Sequence, residues 1–295
     1  MAKPFLKWAG GKRQLISTIE QVFPEDIDGC KTYIEPFIGG GALLFHLLER
    51  NQFESYHISD INPELVLCYR RIKDSVQDVI KSLNKLVSAY PEDKDGRSEY
   101  FYSIRQEWNS NLDISKLNKL EQCKRVAQMI FLNKTCFNGL FRLNRKGEFN
   151  VPTGRYVNPS FPSDKELTDV SIALKNVHIH QGSYKESINW VEGDTLIYFD
   201  PPYRPLSKTA SFVSYSKGDF NDDDQRELAD FCRELDRIDV RFILSNSDPK
   251  NTSPEDDFFD DLYSGFNVQR IQAGRAINSN PDKRGKITEL LVRNY

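Results

Sequence analysis

The chain has 295 residues, 39% of them hydrophobic and 28% charged, with a formal net charge of −3. That balance excludes a disordered or low-complexity chain, and the length suits one large domain or a domain carrying a substantial insertion. No apolar run reaches the about 20 residues that span a bilayer, and a nearly neutral chain announces no polyanionic partner by charge alone.

Met1 to Trp8 has neither a long apolar stretch nor a cleavage pattern, so no signal peptide is expected. The five cysteines are scattered, odd in number and free of any C-x-x-C, which reads as reduced thiols of a cytoplasmic protein. Lys7-Trp8-Ala9-Gly10-Gly11-Lys12 resembles part of a phosphate-binding loop. That motif needs Gly at position 6 and Ser or Thr at 13, where Leu6 and Arg13 stand, so NTPase chemistry is set aside. Trp8 is instead free to pack over a cofactor, with Lys12 pairing a cofactor carboxylate; an indole that simply finds the core is the equal alternative.

Thr32 to Glu35 predicts a strand, Ala42 to Arg50 a helix and Ser55 to Ser59 a second strand. Between them Glu35 to Gly41 ends in three glycines, which let backbone approach a ligand at a helix N-terminus. The dinucleotide fingerprint would need a further glycine where Leu44 stands. Asp60 follows about 20 residues later, where an acidic side chain can take both hydroxyls of a ribose. Any nucleoside cofactor satisfies this pair, S-adenosylmethionine included.

From Pro63 to about Lys134 the period is helical, and Leu140 to Val151, centred on Arg145-Lys146-Gly147, reads as a β-hairpin. Between Lys134 and Arg155 five basic residues face Glu148 alone, and a second basic cluster is Lys283, Arg284 and Lys286. Such local basic faces suit phosphate, although a solvated charged hairpin accounts for them equally well. Strands are predicted again at Val177 to Gln181, Thr195 to Phe199, Arg241 to Ser245, Phe266 to Ile271 and Ile287 to Arg293, with a helix at Asp222 to Leu235. The last two strands, joined through Asn278 to Pro281, suggest a hairpin at the edge of a mostly parallel sheet. His178 and His180 share a strand face, but without a third ligand they do not argue for a metal, and none is expected.

The most informative segment is Asp200-Pro201-Pro202-Tyr203, directly after the buried run Thr195 to Phe199. Two prolines fix φ and remove two donors, leaving a stiff acidic ledge whose carbonyls point outward beside a flat ring. A carboxylate and a ring so placed suit an exocyclic amine on a planar base.

Taken together, these segments resemble the DNA adenine-N6 methyltransferases of the Dam type, in the group called α. The resemblance runs from Phe5 to Leu291 through Lys7 to Lys12, Glu35 to Gly41, Asp60 to Pro63, Phe137 to Arg142, Gly147 to Pro152, Gly154 to Tyr156, Asp200 to Tyr203 and Pro205 to Ser207. It implies an α/β fold: a Rossmann-like S-adenosylmethionine-dependent sheet formed by residues 1–62 and 159–295. Residues 63–158 would be an inserted target-recognition domain of helices and a β-hairpin. It implies catalytic roles for Asp200, Pro201, Pro202 and Tyr203. It implies cofactor contacts at Trp8, Lys12, Phe37, Gly39, Gly41, Asp60, Ile61, Ser183, Tyr184 and Asp200. On duplex DNA it implies Lys7, Asn138, Leu140, Arg142, Pro152 and Arg155. It further implies methylation within GATC and S-adenosylhomocysteine as the spent donor; a monomer is expected in the cytoplasm of a bacterium, or of the bacterial host of a phage that encodes it, with no metal and no membrane. One departure is Phe137, which carries no hydroxyl at an aromatic position before the Asn-Gly-Leu run. Rival readings are a cytosine-N4 methyltransferase, where the first motif residue is more often Ser, an RNA methyltransferase, and a non-catalytic DNA-binding module.

Overall fold

The computed structural model describes residues 1–204, 220–274 and 286–295. Seven strands form one mixed sheet in the order β3-β2-β1-β4-β5-β7-β6. They are β1 Thr32–Glu35, β2 Ser55–Asp60, β3 Val177–Gln181, β4 Thr195–Phe199, β5 Arg241–Ser247, β6 Asn267–Gly274 and β7 Lys286–Arg293. β1 pairs in parallel with β2 and β4, and β4 with β5; β7 runs antiparallel to both β5 and β6. The expected edge hairpin is therefore present as β6 and β7, while its connection, with Asn278 to Pro281, Lys283 and Arg284, lies outside the described residues, as does Pro205 to Ser207.

The chain divides into two compact units. One comprises Lys12–Ile38, Asn51–Ser59 and Gly182–Tyr295. Its central strand β4 is a nearly unbroken apolar run because a parallel strand covered on both faces has no solvent side. Every residue of β4 is buried, and the register places Ile34, Ile197 and Phe242 side by side on β1, β4 and β5. Helix α7, Asp222–Arg237 in a count that begins with α1 at Ile16–Glu20, covers this layer through Leu228, Ala229, Phe231, Cys232 and Leu235. Asn221 caps it reciprocally with Asp224, and three aspartates occupy the first turn, where the helix dipole favours anions.

The other unit comprises Met1–Gly11, Gly39–Arg50 and Asp60–Gln181 and is mostly helical. Helix α2 spans Ala42–Arg50, α3 Pro63–Ser88, α4 Lys94–Asn109, α5 Lys119–Thr135 and α6 Asp164–Ala173. Asn62 caps α3 with Pro63 in its first turn, and Ser75 (φ −150°) breaks its regularity. Arg125 of α5 grips the Glu64 carboxylate at 2.6–3.0 Å, donates to the Trp108 carbonyl of α4 at 2.8 Å and lies 3.9 Å from the Trp108 ring centroid. One buried guanidinium thus ties three helices.

The expected hairpin over Leu140 to Val151 is a chain reversal with one isolated bridge, Leu143 to Phe149, and no regular strands. A few backbone bonds cross it, among them Asn144 N–H to the Glu148 carbonyl at 2.8 Å, and side chains add the rest. Asn144 Oδ1 accepts from Lys146 and Glu148, Gly147 turns at φ 82°, and Asn109 of α4 both donates to and accepts from the Phe149 backbone. Phe141 and Phe149 then pack against Trp108.

Candidate active site

In the helical unit the glycine turn is read most directly from its geometry. Gly39 has φ 46° and Gly41 φ 69°, conformations that L side chains rarely adopt. A Cβ on Gly39 would lie 2.9 Å from Trp8 Cδ1, so the indole rests on bare backbone. Tyr69 hydroxyl donates to the Gly39 carbonyl at 3.0 Å. Asp60, at the end of β2, accepts from Asn62 N–H at 2.9 Å, while Gly39 N–H lies at the limit of hydrogen bonding, 3.5 Å. Burial pushes the Asp60 carboxyl up to about 6 against these backbone donors. Ile61 beside it is 76% exposed, a large apolar side chain available to a ligand.

In the sheet unit the segment after β4 is held by a connected set of side chains. Lys12 is 5% exposed, and its ammonium sits 2.7 Å from Asp200 Oδ1 and 4.4 Å from the Tyr203 ring centroid. The sequence suggests Lys12 as the partner of a cofactor carboxylate; in the fold its ammonium pairs Asp200. Ser245 Oγ donates to the same Oδ1 at 3.0 Å and lies 3.0 Å from the Tyr198 hydroxyl. Burial raises the Asp200 carboxyl above its ordinary range, Lys12 and Ser245 oppose the rise, and Glu289 adds to it. Tyr203 hydroxyl donates to Glu289 Oε2 at 2.6 Å. The outward carbonyl expected at Pro202 is engaged: Gln225 Nε2 donates to it at 3.1 Å, and Asn246 donates to Gln225 Oε1 at 3.0 Å. A proline pair removes donors but leaves carbonyls in need of partners, and buried amides of α7 and β5 provide one.

Phe37 and Tyr184 stack in the same unit, centroids 5.4 Å apart at 28°. Ser183 begins a 3-10 turn, Tyr184–Trp190, accepting from Lys185 N–H while Glu186 accepts from Ser183 N–H. The Tyr184 hydroxyl is buried and finds no partner among the described residues.

The six residues expected on DNA all belong to the helical unit. Lys7, Asn138, Leu140, Arg142, Pro152 and Arg155 are exposed, and so is Phe137 at 52%. Asn138 and Arg155 adopt φ 57° and 56°. Arg142 Nε donates to Asn150 Oδ1 at 2.8 Å, which sets the direction of the guanidinium. The fully buried Asn133 organises the group. Its amide accepts from Lys7 N–H at 2.8 Å and donates to the carbonyls of Lys7 and Gly139 at 2.9 and 3.0 Å.

Sequence reasoning missed Asn133, Gln225, Ser245 and Glu289. Ser245 and Asn246 carried a readable signal, polar residues at the carboxyl end of an apolar parallel strand, where ligands bind in such sheets. Glu289 carried none, being one acidic residue within an otherwise ordinary strand pattern. The two strand histidines stack 6.5 Å apart, and among the described residues no group of three His, Cys, Asp or Glu side chains gathers to hold a metal. No helix among them is long and apolar enough to cross a membrane.

Comparison with known proteins matches residues 8–277 to the D12 class N6 adenine-specific DNA methyltransferase family. The chain is 49% identical over 297 residues to the type II methyltransferase M.MjaIII of Methanocaldococcus jannaschii, covering 99% of both. It is 37% identical to the type II methyltransferase M1.LlaDCHI of Lactococcus lactis, covering 99% of this chain and 95% of the relative. It is 33% identical to the DNA adenine methylase of Haemophilus influenzae, covering 98% and 93%.

Proposed function

This chain belongs to the D12 class of N6 adenine-specific DNA methyltransferases, and from that membership we propose that it methylates N6 of an adenine flipped out of duplex DNA, within GATC, using S-adenosylmethionine. The observation that carries the reading is the ledge: a partly buried carboxylate at Asp200, oriented by Lys12 and Ser245, beside the Tyr203 ring.

Adenine N6 is a poor nucleophile because its lone pair is delocalised into the ring. Asp200 and the Pro201 carbonyl accept the two amine hydrogens, which favours a pyramidal nitrogen and aims the lone pair outward. Flipping the base costs roughly a few kcal/mol, and stacking on Tyr203 returns about 1–3 kcal/mol of it. Pro202 makes the ledge rigid. S-adenosylmethionine supplies an electrophilic methyl group on a sulfonium. Within the helical unit, the bare Gly39 backbone against Trp8 suits close approach of a nucleoside of that kind. Asp60 is assigned to its ribose hydroxyls, Trp8, Gly39, Gly41 and Ile61 to close approach around them, and Phe37, Ser183 and Tyr184 to the adenine. Lys12 serves Asp200 in this reading. Residues 63–158 are assigned to target recognition, with Lys7, Asn138, Leu140, Arg142, Pro152 and Arg155 on the duplex; Phe137 wedges between bases without a hydroxyl. The specificity for GATC is carried from the family resemblance.

The test is to incubate DNA lacking N6-methyladenine with the protein and map the modified positions by single-molecule sequencing. Methylated adenine confined to GATC is expected, and Asp200→Ala should abolish it while retaining DNA binding. Full activity of that variant refutes the mechanism, and a different motif refutes only the specificity.

A further inference from the structure

We propose that Glu289 is a positioning residue that holds the Tyr203 ring where the target base stacks. The proposal rests on the reading of Tyr203 as the stacking surface. The phenol donates to Glu289 Oε2 at 2.6 Å, short for an O–H donor and typical of a carboxylate acceptor. Glu289 comes from β7, where its backbone stands opposite Ser247 of β5 on one side and Ile271 of β6 on the other. Two ladders therefore fix the acceptor. Tyr203 itself follows two prolines outside any strand, so its ring tilt is not set by the ladder. The hydroxyl anchor to Glu289 and the Lys12 ammonium 4.4 Å from the ring centroid set it instead.

The anchor has an electrostatic counterpart. Burial and the carboxylates of Asp200 and Glu289 keep the Tyr203 phenol protonated, so it remains a donor across the working pH range. Among the described residues, the groups facing Asp200 are Lys12, Ser245 with Tyr198 behind it, Tyr203 and Glu289. Lys12 and Ser245 favour its ionised form, and the Glu289 charge opposes it. Removing that charge while keeping an acceptor oxygen lowers the pH at which Asp200 loses its proton. The acid limb of the rate profile then moves to lower pH, a change that a purely structural residue does not produce.

The experiment compares Glu289→Gln and Glu289→Leu with Tyr203→Ala in the full chain. It measures kcat, KM for DNA, the pH profile and the emission of 2-aminopurine placed at the target position. Glu289→Leu should lower kcat about tenfold or more, the effect of one lost charge-assisted hydrogen bond, and change 2-aminopurine emission in the same direction as Tyr203→Ala. Glu289→Gln should recover most of kcat and shift the acid limb downward. A Glu289→Leu variant with normal kcat and emission, beside an impaired Tyr203→Ala, overturns the positioning role. Normal behaviour of Tyr203→Ala overturns the stacking reading on which it rests. If the leucine variant does not fold, an unshifted acid limb in Glu289→Gln still refutes the electrostatic part.

Discussion

Replacing Asp60 with Asn separates stability from function at one side chain. Burial raises this carboxyl from 3.8 to about 6. At about 1.36 kcal/mol per unit, keeping it ionised at neutral pH costs the fold about 3 kcal/mol. The sign follows from linkage: a raised acid contributes stability that is fully present below its unfolded value and is lost as pH rises to its folded value. The native protein should therefore lose stability between about pH 4 and 6 through this group. Asparagine removes the charge and keeps an oxygen for the Asn62 N–H, now 2.9 Å from Oδ1. Asp60→Asn should gain about 1–3 kcal/mol near neutral pH and lose that part of the pH dependence. Binding of S-adenosylhomocysteine should weaken roughly 10- to 100-fold, the loss of hydrogen bonds to a charged acceptor. Urea denaturation across pH and calorimetric titration measure both. A variant that is less stable at neutral pH, or that binds the nucleoside as the native protein does, refutes the argument.

Three further outcomes are expected. Glu64→Ala strands the Arg125 guanidinium, 4% exposed, without its carboxylate; urea denaturation should show a loss of about 3–5 kcal/mol, and a loss below 1 kcal/mol would contradict the buried pair. Gly39→Ala demands φ 46° of an L residue and brings Cβ to 2.9 Å from Trp8; a loss of about 1–2 kcal/mol with altered tryptophan emission is expected, and unchanged emission would count against the contact. Arg142→Ala should relax base discrimination by about 1–3 kcal/mol at one position, measured by competition between duplexes; equal weakening on all sequences would make Arg142 a phosphate contact.

The strands were legible because each is a short run rich in apolar and β-branched residues, and β1, β3 and β4 were delimited to the residue. Helix α2 was equally legible from its period, bounded by the glycine turn. Helix α6 has only a weak apolar period to announce it, although Ser163 and Glu166 spell out its capping box. The sequence reads Leu140 to Val151 as a β-hairpin centred on Arg145-Lys146-Gly147; the reversal is there without regular strands, and the Phe149 backbone bonds instead to Asn109, 40 residues away. The family, with its adenine specificity, was legible in spaced motifs because each motif is a continuous local segment, and the match over residues 8–277 bears this out.

By itself the sequence determined where backbone is bare, where carboxylates end strands and where a ring follows two prolines, because these are properties of neighbouring residues. Only the tertiary structure decided what those groups touch. Lys12 meets Asp200 because the loop after the N-terminal segment folds onto the end of β4. Tyr203 meets Glu289, 86 residues away, because β7 inserts antiparallel beside β5. Hydrophobic period records which face of a strand is buried, but the strand's neighbour in the sheet is chosen by the packing of the whole chain, and with it the partner of every side chain at the strand's end.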